Sequence, residues 1–148
     1  MAQQDAKGVS EVIDRYLQAY ARRDINALAT TLAQDSETLG FGTDEGEFWR
    51  GWTTIRNVAE KQFGAIREAN WKRGQSQIHF SRDGNVAWYA EELTGDFLSG
   101  NKKTTCAIRF TAVLERRANE WVIVQFHRSV PVEGYAVPYL EKHGVRFD

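Results

Sequence analysis

Gln75–Leu98, "QSQIHFSRDGNVAWYAEELTGDFL", is where the fold is decided. Before it, apolar residues recur every three or four positions; within it they alternate. Gln75–Ser81 reads as a strand, Arg82–Asn85 as a turn carrying the Asp-Gly hairpin signal, and Val86–Leu98 as a long return strand. A four-residue loop sets Ser81 against Val86, Phe80 against Ala87, His79 against Trp88 and Ile78 against Tyr89. His79, Trp88 and Glu92 then share one face, and Tyr89 and Glu91 the other. Which face is inward stays open, because a slip of one residue reverses the whole hairpin.

Toward the C-terminus the same period continues. "SGNK" is a turn, Thr104–Glu115 a strand, "RRAN" a turn and Glu120–Val130 a further strand. Toward the N-terminus the helical period holds. Val9, Val12, Ile13, Tyr16, Leu17 and Tyr20 predict a helix over about 10–22. Asp24 reads as an N-cap before a short helix with Ile25, Leu28 and Leu32 inside. A short extended piece at Thr38–Phe41 leads into the loop "GFGTDEGEFWRGW", Gly40–Trp52. A third helix follows, capped at Thr53, with Ile55, Val58, Ala59, Gln62, Phe63 and Ile66 on its inner face. Helices first and a strand meander after them predict an α+β fold, with helices packed on one sheet face.

The bulk properties narrow the function. A chain of 148 residues is expected to form one domain over 1–148, with a core at about 9–132 and a tail at 133–148. A formal net charge of −1 gives no electrostatic footprint for nucleic acid. Neither a signal-peptide segment nor a membrane-length apolar run is present, so no membrane association is expected. The lone Cys106 excludes an internal disulfide and fits the cytoplasm. "WKR" (Trp71–Arg73) and "ERR" (Glu115–Arg117) read as solvated loop or strand ends. Five Trp, five Tyr and eight Phe serve the core in part, and so many large planar groups in a small domain also suit an apolar pocket or a subunit interface.

The helix ending "YLQAYARRDINAL", the loop "GTDEGEFWRG", the strand "NVAWYAEEL" and the final "RFTAVLERRANEWVIVQFHRSVPV" resemble the SnoaL-like branch of the nuclear transport factor two-like superfamily. The resemblance covers about Val9–Val132. It implies a cystatin-like cone, a bent antiparallel sheet wrapped around three N-terminal helices, with a pocket at the open end and pairing through the outer sheet face. Ketosteroid isomerases, dehydratases, cyclases and non-catalytic binding or assembly domains share that fold, so the resemblance leaves the activity open. At the place of the isomerase's proton-shuttling Asp this chain has Leu39 and Gly40, which move no proton. Tyr16 matches the isomerase's helix-one tyrosine, an oxyanion donor.

Candidate chemistry is limited. Asp44 and Glu47 in the loop and His127 near the end of the last strand are the candidate acid–base residues. Alternation along that strand would set Trp121, Ile123, Gln125, His127 and Ser129 on one face, grading from apolar to polar like the inside of a cone. Val122, Val124, Phe126 and Arg128 would form the other, dimer-forming face. The candidate ligand-binding set is therefore Tyr16, Trp49, Trp52, His79, Trp88, Gln125 and His127, with the two loop tryptophans at the rim. Arg109, on a face with Thr111 and Val113, suits either an anionic ligand or an interface. The histidines lack metal-ligand spacing, the loop acids lack the calcium-loop pattern, and "GFGTDEG" lacks the context of a nucleotide site, so no metal or cofactor is expected. The expectation is a homodimeric binder of a small apolar or carbonyl-containing molecule. The alternatives are a proton-transfer isomerase, dehydratase or cyclase, and a non-catalytic assembly domain.

Overall fold

In the computed structural model, which describes residues 2–131 and 136–146, helices α1 (Ala2–Arg22), α2 (Ile25–Ala29) and α3 (Trp52–Ala65) lie against one open, curved sheet. The expected α+β cone is present. α1 begins at Ala2 rather than near Ser10, and its predicted inner face of Val9, Val12, Ile13, Tyr16, Leu17 and Tyr20 is buried throughout. Asp24 caps α2 as expected, its carboxylate accepting from the Ala27 amide at 3.0 Å. α3 starts one residue before Thr53. Its cap is Gly51, whose φ of 87° suits glycine and little else.

The strands are β1 (Leu39–Phe41), β2 (Phe48–Arg50), β3 (Glu68–Lys72), β4 (Ser76–Phe80), β5 (Val86–Ser99), β6 (Lys102–Arg117) and β7 (Glu120–Ser129). Their order is β2-β1-β7-β6-β5-β3, with β4 also on β5, and the β1–β7 pair is parallel. β2 and β3 were not expected from the sequence. β2 makes the Gly40–Trp52 loop a hairpin on β1. β3 pairs with the far half of β5 while β4 pairs with its near half, so one long strand serves two partners. The β4–β5 register is the predicted one, with His79 opposite Trp88 and Phe80 opposite Ala87.

The structure overturns the predicted facing of β7. Val113 pairs with Gln125 and Leu114 with Ile123, which leaves Val124 as an extra residue in a bulge. Strict alternation cannot bury both Ile123 and Phe126, which stand three apart. With the bulge both are inside, at 0% and 1% exposure, and each contributes roughly 1.5–3 kcal/mol by its burial. Beyond Val124 the phase is inverted. Phe126 and Arg128 point inward, and Gln125 and His127 are exposed on the outer face.

Gly40 on β1 lies directly over the Phe126 ring, and a Cβ there would stand within it. The tail forms α4 (Ala136–Lys142), with Leu140 and Val145 exposed. Tyr135 and Phe147 of the tail lie outside the described residues, as does Val132 at the expected core boundary. No described helix is long and apolar enough to cross a membrane.

Candidate functional site

The end of the α1 face, the β1–β2 hairpin, the last turn of α3, β3, the first half of β6 and the C-terminal ends of β5 and β7 surround a half-open cavity of about 240 Å³. Tyr20, Ile66, Trp71, Phe97, Ile108 and Val130 supply its apolar wall; Thr43, Glu47, Gln62, Cys106 and Arg128 supply its polar atoms. Deeper in, the cone is filled by its own aromatics. Tyr16 packs against Tyr20 and Phe110 at 5.1 Å each and against Phe126 at 5.9 Å, and Tyr89 meets Phe110 at 5.6 Å. The cavity is therefore the unfilled mouth of a packed cone.

Arg128 is the main electrostatic feature of the mouth. It is 9% exposed, and its Cζ lies 5.0 Å from the Tyr20 ring, 5.5 Å from Phe126 and 5.9 Å from Trp49, a set of cation–π contacts. Burial works against its charge, but its neighbours Tyr16, Tyr20 and Glu47 outweigh that and hold the guanidinium above its ordinary range. Burial likewise pushes the Tyr16 phenol well up; nearby Arg128 works in the opposite direction without cancelling it. At neutral pH the pair is a cation beside a neutral hydroxyl donor.

A second polar cluster lies further along the inner sheet face. The Glu91 carboxylate, with a fully buried side chain, accepts from Arg73 Nη2 at 2.7 Å, Arg73 Nε at 2.9 Å, the Gly74 amide at 2.8 Å and the Tyr89 hydroxyl at 2.7 Å. Burial raises its pKa, yet these donors together hold it below its ordinary value. Every strong acceptor position of Glu91 is taken, so this cluster is a brace between β5 and the β3–β4 connection. Arg73 is thus no solvated strand end.

The candidate residues from the sequence separate into three groups. Glu47 lines the mouth, and its Oε1 accepts from the Asp44 amide at 2.8 Å, while Asp44 itself is exposed on the hairpin turn. Tyr16, Trp49 and Trp52 are buried at 1%, 8% and 8% and do not form the rim: Tyr16 and Trp49 pack behind the mouth against Tyr20 and Arg128, and Trp52 opens α3 at the end opposite the turn that lines it. His79, Trp88, Gln125 and His127 are on the outer face. The first three line a groove of about 260 Å³ with Gln77, Thr111 and Val113, and His127 lies 5.1 Å from the Phe41 ring. Arg109 is also outside, in a larger, more open depression of about 610 Å³ with Gln77, Glu92 and Thr111. The bulge at Val124 moves Gln125 and His127 out, and the inward set of Tyr89 and Glu91 moves His79 and Trp88 out. Sequence reasoning missed Arg128, Trp71, Gln62 and Cys106. An arginine directly after the "VIVQFH" run was the available signal for Arg128, but its facing depended on the bulge.

Solved structures of the same shape share the fold at low identity. A nuclear transport factor 2-like superfamily protein from Salmonella enterica serovar Typhimurium is 20% identical, with a TM-score of 0.82 over 92% of this chain and 97% of the other. A protein with a cystatin-like fold from Caulobacter vibrioides is 14% identical, with a TM-score of 0.75 over 93% and 99%. A type 2 hexachlorocyclohexane dehydrochlorinase is 12% identical, with a TM-score of 0.77 over 88% of each chain. No curated protein matches the sequence. The family model for the SnoaL-like domain matches residues 9–133, which take in most of α1, all of α2 and α3, all seven strands and every residue that lines the mouth, and the chain belongs to that family.

Proposed function

We propose that this protein binds a small organic molecule in the mouth of its cone and works as a homodimer joined through the outer sheet face. The cavity itself carries the first part. It has an apolar wall with a few convergent polar groups, the usual composition of a small-molecule site. At about 240 Å³ it has room for roughly eight waters at ~30 Å³ each, and hence for a ligand on the order of ten non-hydrogen atoms. The outer face supports the second part, since Trp88 is 48% exposed there, beside the grooves containing His79 and Arg109.

A second reading, proton transfer on a small carbonyl compound bound in the same cavity, rests on Glu47. Of Asp44, Glu47 and His127, it alone lines the mouth. Native mass spectrometry of the purified protein, beside an Ile108→Trp variant that fills the cavity, tests the binding reading. A small molecule carried by the wild type and absent from the variant is the expected result. The same molecule retained by the variant would remove the mouth as its site.

A further inference from the structure

Three arginines have substantially buried side chains, and two of them have a carboxylate. Arg73 meets Glu91 at 2.7 Å, and Arg116 meets Asp5 at 2.7 Å. Arg128, more buried than either, has no described carboxylate within ion-pair distance, and its Nε has no hydrogen-bond partner. Its charge is instead supported by the cation–π contacts with Tyr20, Phe126 and Trp49 and by Glu47 nearby, and its side chain lines the mouth. A guanidinium can only donate. The mouth therefore presents a cation set in apolar surface, with no described carboxylate in direct contact. Glu47 is the one acid among the described lining residues, and its Oε1 is engaged by the Asp44 amide on the hairpin.

We infer that the mouth is a site for a small organic acid, with its carboxylate on Arg128 and its apolar body against Ile66, Trp71, Phe97, Ile108 and Val130. The inference rests on the binding reading above and names its ligand class. The planar guanidinium fork matches a carboxylate, and the apolar surroundings strengthen the interaction. The small volume limits the body to a single ring or a short branched chain.

The test uses benzoate and its neutral isostere benzamide, titrated into the full-length protein and followed by calorimetry and by ¹⁵N–¹H spectra. Benzoate should bind and shift the resonances of the residues that line the mouth, while benzamide should bind ~10-fold or more weakly. Arg128→Met, which removes a buried charge and should fold, is expected to weaken benzoate by a similar factor. Arg128→Lys keeps the charge but loses the planar fork, so it too should weaken benzoate, and it decides the matter if Arg128→Met does not fold. Equal binding of benzamide and benzoate, or unchanged benzoate binding in both variants, would overturn the anion assignment and leave the cavity reading standing. Failure of both probes to bind at millimolar concentration would overturn both.

Discussion

Replacing Arg73 by Met should destabilise the fold by about 2–3 kcal/mol. The magnitude follows from what is left behind. Glu91 keeps the Gly74 amide and the Tyr89 hydroxyl but loses its bidentate cation, and its own side chain has no solvent access. Removing one partner of a fully buried pair costs about 3–5 kcal/mol; because Arg73 is 28% exposed, water can partly replace it and the cost falls to about 2–3 kcal/mol. For a chain of this length that is a fall in Tm of about 5–10 °C. The pH dependence has a definite sign. In the wild type the pKa of Glu91 is depressed below its ordinary value near 4.5. The stability it contributes is therefore complete above that pH and is lost as pH falls through the folded-state pKa. Without Arg73, burial dominates and the folded pKa rises instead, so the variant gains relative stability on acidification. Urea unfolding at pH 7 and at pH 4 measures both effects. A gap below about 1 kcal/mol at pH 7, or one that widens on acidification, would refute the view that this pair is a buried brace.

Other consequences can be measured directly. Tyr16→Phe removes an unpartnered buried hydroxyl and should leave stability unchanged or raise it by up to about 1 kcal/mol in urea unfolding; a loss would mean that the hydroxyl has a partner. Gly40→Ala should cost about 1–3 kcal/mol in the same assay, since its methyl competes with the Phe126 ring; a neutral result would mean that β1 moves away easily. Trp88→Glu should turn a dimer into a monomer in analytical ultracentrifugation with circular dichroism unchanged. A dimer that survives this change would take the interface off the outer face.

Much of the fold was legible because local patterns and tertiary packing agree. The inner face of α1, the Asp24 cap, the Asp-Gly turn and the β4–β5 register all follow from neighbours close in sequence, where side-chain period and turn chemistry act directly. β2 and β3 were missed because they are strands of only three and five residues. They are extended by pairing with β1 and β5 rather than by their own alternation. The site was less legible than the fold for a related reason. Glu47 could be nominated from the loop and is on the cavity wall, whereas Trp71 and Arg128 come from segments read as solvated or outward-facing.

The sequence by itself determined the helical and alternating periods, and with them the α+β class and the resemblance to the SnoaL-like family. Which groups meet inside was decided by tertiary structure. Val124 reads as one more residue in an alternating strand, and the need to bury Ile123 and Phe126 against β6 makes it a bulge. That single extra residue inverts everything after it, sending His127 to the surface and Arg128 into the mouth. The physical reason is that strand facing is a parity, so one local irregularity fixed by a partner strand changes every side chain beyond it.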